Sequence, residues 1–319
     1  MSLVEGMVAT KEFLTLPAAL ILDFGLGELP ERIHPTVWMG KIADKLGSEL
    51  RGGSSEHVCL KGGVMVLLMI IVSIAPVSLL SYVLEGSHWL IYLPITAILL
   101  KSTFAVSSMG SHLEPIVNSL RGGNLVEARR NTSRIVSRDT DDLDREGVAS
   151  AAIESTSESI TDGVVAPIFF FAIFGLPGAF FYRLVNTLDS MYGYKKGSLK
   201  DFGWAAANLD TILNYIPARL TAFMVSIGAW ISGENFRDSL GCPLEDSGRT
   251  SSPNAGWPMS AVAGALGIRL EKEGAYELNS EGVSPDENHV LRSFSLMKFS
   301  AIIFSVVVTG LLGAIGILW

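Results

Sequence analysis

Three carboxylates stand four residues apart directly before a long uncharged segment: Glu154, Glu158 and Asp162 in ESTSESITDGVVAPIFFFAIFGLPGAFF. On an α-helix, residues four apart differ in direction by only about 40°, so these side chains would line one face. Like charges at this spacing repel by roughly 0.2–0.5 kcal/mol per pair. The arrangement therefore predicts either a compensating partner or full solvation of the acidic face.

Three interpretations of this face remain open. A solvated acidic surface is the simplest interpretation. Two observations argue against it: the neighbouring serines leave room for a ligand, and a carboxylate that faced hydrocarbon would be unfavourable. A hard cation such as Mg²⁺, held by one or two carboxylates and by substrate phosphates, would offset the repulsion, and it makes all three residues candidate metal ligands. Arginines from the stretch 129–138 are the alternative partners.

Basic residues follow a similar spacing in RIVSRDTDDLD, which begins at Arg134. Arg134 and Arg138 are four residues apart, a spacing suited to binding phosphate or carboxylate oxygens. Ordinary ion pairing with Asp139, Asp141 and Asp142 is an equally simple explanation. The stretch is therefore a candidate anion site with a structural alternative.

A further polar stretch runs from Tyr182 to Leu220, and its candidate ligand-binding side chains are Asn186, Asp189, Lys195, Lys196, Asp210, Asn214 and Arg219. Asn186 and Asp189 are three apart and Asp210 and Asn214 four apart, so each pair would share a helix face. The two lysines could receive a phosphate or a carboxylate. Arg219 lies in an apolar run, which marks a functional position, a buried pair or a side chain that reaches the membrane interface.

The segment SSPNAGWP, residues 251–258, combines a turn with a helix start. Pro258 suits the first turn of a helix, whose free N–H groups could bind an anion. Asn254 and Trp257 are candidate contacts there, although a turn followed by a helix explains the residues without any function.

Several classes of protein are disfavoured by what the sequence lacks. There is no GxxxxGK[ST], HExxH, GxSxG or GxGxxG motif, and the five histidines show no metal-ligand spacing. Cys59 and Cys242 are far apart, so neither a disulfide framework nor a zinc site is expected. The net charge of −8 without a basic stripe argues against a nucleic-acid partner.

Long apolar runs must position these side chains. Charged residues make up only 18% of the 319 residues, and the mean hydropathy is +0.39. A run of about 20 apolar residues can cross a bilayer core of about 30 Å. We therefore predict an all-α polytopic integral membrane protein, a single membrane domain over 1–319 without a signal peptide. Its candidate membrane segments are 13–27, 62–84, 87–111, 163–182, 212–232 and 299–319.

The distribution of charge predicts the topology. The link 85–88 has no Lys or Arg, whereas the stretches before and after that hairpin are rich in both, which places those stretches in the cytoplasm. Gly175-Leu-Pro-Gly178 interrupts segment 163–182, and Pro217 interrupts 212–232. Broken or re-entrant helices there would keep every basic loop cytoplasmic.

Between the membrane segments, we predict a cytoplasmic helical insert over 112–162. Its periodicity favours helices through Ile135 and again from about 143 to 160. A soluble loop is predicted over 233–298, and the acidic part of it, 271–287, is predicted to be an exposed loop. A cell-membrane protein with a cytoplasmic active face is therefore expected.

The chain resembles a known family. The resemblance rests on six motifs, which in order along the chain are IHPTVWMG, SRDT, ESTSESITDGVVAP, GLPGAFFYRLVNTLDSMYGY, DFGWAAANLDTILNYIPARLTA and SPNAGWPMSAVAGALG. They resemble the CbiB/CobD family of cobalamin biosynthesis, adenosylcobinamide-phosphate synthase, over nearly the whole chain. The departures are small: the family often has Val where Thr36 follows the His-Pro pair, and it varies within the acidic helix.

This resemblance implies an ATP-consuming, Mg²⁺-requiring carbon–nitrogen ligase. Its members join adenosylcobyric acid, a corrinoid, to (R)-1-aminopropan-2-ol or its O-phosphate, and they work in the lipid bilayer beside other membrane enzymes of the pathway. A corrinoid transporter and a non-catalytic AmpE-like signalling protein are the alternatives.

The chemistry of that reaction suggests roles for the candidate residues. Glu154, Glu158 and Asp162 would handle Mg²⁺ and phosphate, and Asp189, Asp201 and Asp210 are candidates for the amine end. Arg134, Arg138, Lys195 and Lys196 would bind phosphate or carboxylate, and Asn254 and Trp257 would contact the corrinoid.

Overall fold

The structure is a computed structural model that describes residues 3–51, 57–193 and 199–318. It is 77% helical. The helices are α1 Leu3–Leu26, α2 Pro35–Arg51, α3 Val58–Glu85, α4 Trp89–Lys101, α5 Val106–Arg121, α6 Leu125–Thr132, α7 Arg145–Ile160, α8 Ala166–Tyr192, α9 Trp204–Leu213, α10 Tyr215–Ser232, α11 Phe236–Asp246, α12 Gly256–Leu266 and α13 Glu287–Leu318. A π-helical turn, Thr161–Val165, joins α7 to α8, a 3₁₀ turn follows α11 at Ser247–Arg249, and the strands are β1 Leu270–Lys272 and β2 Tyr276–Leu278.

Within the residues that the structure describes, four helical stretches are long and apolar enough to cross a membrane: Val58–Glu85, Trp89–Arg121, Arg145–Tyr192 and Glu287–Ile315. A fifth would be the pair α9 and α10, which is bent by 45°. Much of the apolar surface of α3 is exposed, as at Leu67 and Leu79, which suits contact with lipid. The chain is therefore an all-α polytopic membrane protein, as the apolar runs predicted.

The chain divides into two compact units, each assembled from distant stretches. Unit 1 comprises Met1–Ala105, Ala166–Leu213 and Ser305–Trp319, and unit 2 comprises Val106–Val165 and Asn214–Phe304. In unit 1, α1 packs on α4, while α2, α8 and α9 pack on α3. In unit 2, α10, α11 and α7 pack on α12.

A break in α8 confirms that segment 163–182 is not a regular helix. Gly175 has φ 63° and ψ −156°, a conformation that only glycine adopts without strain. Close packing follows at Gly178, where an added Cβ would lie 2.4 Å from the carbonyl oxygen of Phe170. The two halves of α8 therefore meet where the Gly-Leu-Pro-Gly sequence predicted.

The second predicted break is displaced. The bend falls between Leu213 and Tyr215, at Asn214, rather than at Pro217. Pro217 lies in the first turn of α10, where the missing N–H removes no helical hydrogen bond. Proline was therefore the wrong marker for this bend.

A buried charge network in unit 1 joins α1, the link between α1 and α2, and α4. The Lys101 ammonium lies 2.7 Å from Glu28 Oε1 and 3.6 Å from Asp23 Oδ1, and the Asp23 side chain is fully buried. His34 Nε2 contacts the same Glu28 oxygen at 2.9 Å. Burial favours the neutral acid, but the hydrogen bonds from His34 and Lys101 and the charge of Lys101 outweigh it and lower the pKa of Glu28 to about 2.

Unit 2 departs from the sequence predictions in two places. The helical periodicity through Ile135 ends with α6 at Thr132, and residues 133–143 form turns, bends and irregular chain. Asp144 then caps α7 by accepting a hydrogen bond from the N–H of Gly147. The stretch 271–287 is not simply an exposed loop. Leu270 pairs with Leu278 in an antiparallel hairpin, and both side chains are buried.

Candidate functional site

The acidic side chains are positioned by α7 and the π-helical turn that follows it. Buried alanines at 149, 151 and 152 let α7 pack closely against its neighbours in unit 2. Glu154 and Glu158 lie on α7, whereas Asp162 lies in the π-helical turn. Turns of this kind are rare and are frequent at functional sites, so the acidic stretch coincides with an unusual backbone.

Glu154 is buried, with 6% of its surface exposed, and three donors engage its carboxylate. Arg138 Nη2 donates to Oε1 at 3.1 Å, and Ser150 Oγ donates to the same oxygen at 2.9 Å. Tyr276 Oη donates to Oε2 at 2.5 Å. An arginine from the predicted stretch therefore neutralises Glu154 in this structure. We call Arg138, Ser150, Glu154 and Tyr276 the Glu154 cluster.

The sequence predictions did not include Tyr276, which reaches Glu154 from β2. Burial and the Glu154 carboxylate raise the pKa of its phenol, so Tyr276 stays protonated and acts as a donor. The hairpin is also tied to α7 at Ser150, whose Oγ accepts a hydrogen bond from the N–H of Glu271 at 3.2 Å. No local pattern signals a contact between residues so far apart in the chain.

Glu158 has a different environment one turn further along α7. Its side chain is exposed, and its carboxylate lies within electrostatic range of Glu154, Lys272 and Arg138. Asp162 is half-buried.

In the described part of the chain, no three His, Cys, Asp or Glu side chains form a group that could hold a metal ion. The Mg²⁺ assignment therefore stays a prediction.

A polar cavity of about 480 Å³ adjoins the Glu154 cluster in unit 2. Arg138 and Ser150 line it, together with Arg269. Its acidic lining residues are Asp142, Asp144, Glu146, Glu271 and Glu273. The cavity thus presents charges of both signs to a ligand, and it gives solvent access to the guanidinium that holds Glu154.

Arg134 does not share a helix face with Arg138. Both residues lie in the non-helical stretch after α6, and Arg134 is exposed. The four-residue spacing therefore does not place Arg134 and Arg138 on one helix face, because the helix ends at Thr132.

Two other predicted residues of unit 2, Asn254 and Trp257, contact Arg219, and so does Tyr215, which was not among the predicted residues. The Arg219 guanidinium lies 3.7 Å from the ring centroid of Tyr215 and 4.8 Å from that of Trp257. It donates to Asn254 Oδ1 at 3.0 Å and to the carbonyl of Tyr215 at 2.7 Å. The residues form a cation–π stack with a polar edge, which we call the Arg219 stack.

The remaining predicted residues are distributed as follows. In unit 1, Asn186 and Asp189 lie on α8, Asp201 lies in an exposed turn, and Asp210 lies half-buried on α9. Asn186 Oδ1 accepts a 3.4 Å bond from Arg183. In unit 2, Asn214 is buried at the bend before α10. Lys195 and Lys196 lie outside the described residues.

The fold and site define an all-α polytopic membrane protein with a buried, ion-paired carboxylate beside a polar cavity. The chain belongs to the CobD/CbiB family, since the family model described as CobD/Cbib protein matches residues 16–297. This match confirms the resemblance of the motifs.

Curated relatives agree with the family match. The chain is 38% identical over 292 residues to a probable cobalamin biosynthesis protein CobD of Thermoplasma acidophilum, covering 92% of this chain and 94% of the relative. It is 39% identical over 301 residues to a probable cobalamin biosynthesis protein CobD of Methanothermobacter thermautotrophicus, covering 94% and 98%. A cobalamin biosynthesis protein CobD of Dehalococcoides mccartyi is 38% identical over 263 residues, covering 82% and 85%. No solved structure matches the chain.

Proposed function

We propose that this protein acts in cobalamin biosynthesis as a carbon–nitrogen ligase that joins adenosylcobyric acid to (R)-1-aminopropan-2-ol or its O-phosphate, with ATP and Mg²⁺. Family membership supports the pathway. The observation that best supports the ligase reaction is the Glu154 cluster. In this cluster the Arg138 guanidinium lies at a polar cavity of a size that suits a small molecule.

Amide formation from a carboxylate requires activation. A carboxylate oxygen of the corrinoid attacks the γ-phosphorus of ATP, the bond from that phosphorus to the bridging oxygen breaks, and ADP leaves. The amine nitrogen then attacks the acyl carbon, the new C–N bond forms, and the C–O bond to phosphate breaks. Catalysis of such a step depends on cationic groups around the transferring phosphoryl group and on a base that takes a proton from the ammonium.

Arg138 and Lys272 supply positive charge in this proposal. Arg138 lines the cavity while its Nη2 bonds to Glu154, so the guanidinium is held in place and its remaining N–H groups can bind a phosphate or carboxylate. Lys272 is half-buried on β1, within electrostatic range of Glu158.

Glu154 and Glu158 take different roles. Both oxygens of Glu154 already accept hydrogen bonds, so Glu154 fits a positioning role better than metal ligation. The exposed Glu158 is the candidate base or ligand. With Asp162 it would hold Mg²⁺ together with phosphate oxygens, the arrangement that this ion prefers. The ion would neutralise charge on the transferring phosphoryl group.

The size of the cavity bears on its ligand. Ligand pockets commonly measure about 300–1,000 Å³. The value of about 480 Å³ suits a nucleotide or the amine substrate rather than a whole corrinoid. We propose that the Arg219 stack contacts the corrinoid, because Trp257 and Tyr215 offer aromatic surface beside the polar Asn254.

The test uses the purified full-length protein in nanodiscs with adenosylcobyric acid, Mg-ATP and either form of the amine. We expect one ADP and one corrinoid amide per turnover, detected by coupled assay and mass spectrometry. Glu158→Gln should lower turnover by about 10²-fold or more, since general acid–base groups contribute about 10²–10⁴. Glu49→Gln, at an exposed position on α2, is the matched control. Failure of both amines to yield ADP and amide would remove the ligase proposal.

Corrinoid transport is the second candidate, and the break in α8 favours it, because interrupted helices line the binding sites of many transporters. Uptake of adenosylcobyric acid into proteoliposomes without ATP turnover would support transport. A protein that neither transports nor ligates would support the non-catalytic, AmpE-like alternative.

A further inference from the structure

A groove of about 450 Å³ lies in unit 1 between α2 and α3. Its lining residues on α2 follow helical spacing, so one face of that helix forms a wall, and they are Pro35, Trp38, Met39 and Ile42. The lining residues on α3 are Val72, Ser73, Pro76 and Val77. Among the described residues that line the groove there is no Asp or Glu, and the one charged side chain is that of Arg32, just before α2. The groove is therefore apolar, with a single cation.

The walls of the groove are open to the surroundings. Trp38 is 57% exposed and Val72 is 49% exposed, whereas Phe180, which α8 contributes to the lining, is buried. Because α3 is long and apolar enough to cross a membrane, an exposed apolar groove along it faces lipid. Hydrocarbon chains are therefore the natural cover for these walls.

Trp38 connects the apolar wall to the cation. Its Nε1 donates a hydrogen bond to the carbonyl oxygen of Arg32 at 2.9 Å, so the indole ring is held beside the chain segment that carries the guanidinium. Tryptophan is enriched where hydrocarbon meets the lipid headgroups, because its ring is apolar and its N–H is polar. The groove thus combines a surface for a hydrocarbon chain with an aromatic side chain suited to the headgroup region.

The Arg32 side chain is exposed, and it makes no ion pair or hydrogen bond with any described residue. Lys101 in the same unit, by contrast, pairs with Asp23 and Glu28. A cation beside hydrocarbon is unfavourable unless an opposite charge lies close to it. A guanidinium binds phosphate oxygens in a bidentate manner, so a lipid phosphate would supply the missing charge.

We propose that this groove binds one anionic phospholipid, with its phosphate at Arg32 and one hydrocarbon chain between α2 and α3. Charge complementarity selects this occupant. A zwitterionic lipid brings an ammonium group that offsets its phosphate, inorganic phosphate would leave the apolar walls uncovered, and an apolar peptide would leave Arg32 unpaired. The proposal does not depend on the ligase reaction.

Quenching of Trp38 fluorescence by brominated lipids tests the proposal. The full-length protein is placed in phosphatidylcholine nanodiscs that contain rising fractions of brominated phosphatidylglycerol or brominated phosphatidylcholine. The difference from Trp38→Phe isolates the signal of this residue among the six tryptophans. We expect half-maximal quenching at about a fivefold lower fraction of phosphatidylglycerol than of phosphatidylcholine, because one basic residue near an anionic lipid contributes about that factor.

Arg32→Gln should abolish this preference, and Arg32→Lys should keep part of it, because it keeps the charge without the bidentate geometry. Lys45→Gln is the matched control, since it removes an exposed cation of α2 that does not line the groove. Equal quenching by the two lipids in the wild type would overturn the proposal. So would an unchanged preference in Arg32→Gln, or an equal loss in Lys45→Gln. Failure of both lipids to quench Trp38 would also overturn it and would show that protein covers the groove.

Native mass spectrometry gives a readout that does not depend on Trp38. After exchange into detergent, we expect the wild type to retain one phosphatidylglycerol, which excess inorganic phosphate does not release. Ser73→Phe fills the groove and should lose this lipid, whereas Leu79→Phe, at an exposed position of α3 outside the groove, should retain it. Retention in Ser73→Phe, or release by inorganic phosphate alone, would overturn the placement of the hydrocarbon chain in this groove.

Discussion

Two buried ion pairs, one in each unit, contrast in their access to solvent. In unit 1, the Lys101 and Asp23 side chains are 2% and 0% exposed. In unit 2, Arg138 pairs with Glu154 but also lines a polar cavity, and the neighbouring Glu158 is exposed. Burial of a pair therefore does not by itself mark a functional site. A ligand must also be able to reach the charged groups, and the Arg138 pair meets that condition.

The largest effect on stability is expected in unit 1. Lys101→Met leaves the Asp23 carboxylate without its cation in a fully buried position, which should lower the free energy of unfolding by about 3–5 kcal/mol. Denaturant titration in mixed micelles would measure it. Lys45→Met, at an exposed position on α2, should change stability by no more than about 0.5 kcal/mol. Similar losses in both variants would show that the Lys101 network is not a stabilising element.

Arg138→Met sharpens the comparison, because activity should suffer more than stability. Ser150 and Tyr276 still donate to Glu154, and the cavity admits water, so we expect a stability loss of only about 1–3 kcal/mol. Turnover in the proposed ligase reaction should fall by about 10²-fold or more, because the proposed role of Arg138 is to place a cationic group at the transferring phosphoryl. Parallel measurement of unfolding and turnover tests this. Wild-type turnover in Arg138→Met would contradict the role given to Arg138.

Tyr276→Phe removes one donor to Glu154 and leaves the ion pair in place. Hydrogen bonds to charged groups contribute about 1.5–3 kcal/mol, so a stability loss near the lower end of that range is expected. Turnover should fall about tenfold with little change in KM, because Tyr276 positions Glu154 rather than binding substrate. Tyr82→Phe is the control, since its side chain is 75% exposed. Equal turnover in the two variants would contradict the positioning role.

The smallest effect concerns Glu28, the partly exposed member of the unit 1 network. Its pKa is lowered from 4.5 to about 2, so the ionised carboxylate stabilises the folded state above about pH 4.5. That contribution is lost as the pH falls from about 4.5 towards 2. Glu28→Gln should therefore lower the melting temperature at pH 7 and differ less from wild type as acid is added. A pH-independent difference would contradict the pairing with Lys101 and His34.

Local sequence explains much of the fold. The length of the uncharged apolar runs locates α3 and α13. Gly175 and Pro177 predict the break in α8, because their effect on the backbone is local. The bend at Asn214 carried no such signal, since the neighbouring proline, Pro217, lies inside the first turn of α10 and not at the bend. Hydropathy alone could not show that residues 270–278 form a hairpin.

Long-range contacts account for what the sequence could not provide at the sites. The Arg138–Glu154 pair was among the alternatives because an arginine-rich stretch precedes the acidic helix by a short distance. Tyr276 was missed because it lies 122 residues from Glu154. Asp23 and Lys101 are charged residues within the apolar segments 13–27 and 87–111, but sequence does not show that they pair, because their pairing is set by the packing of α1 on α4.

The Lys101–Asp23 pair also bears on the cost of placing α4 in a bilayer. A lone lysine in a hydrophobic helix is unfavourable in hydrocarbon, so α4 partitions into lipid more easily once a carboxylate is available. That carboxylate belongs to α1, which the ribosome makes first. Pairing with Asp23 therefore lowers the cost of placing Lys101 in hydrocarbon, so the ion pair couples the burial of α4 in a bilayer to its contact with α1.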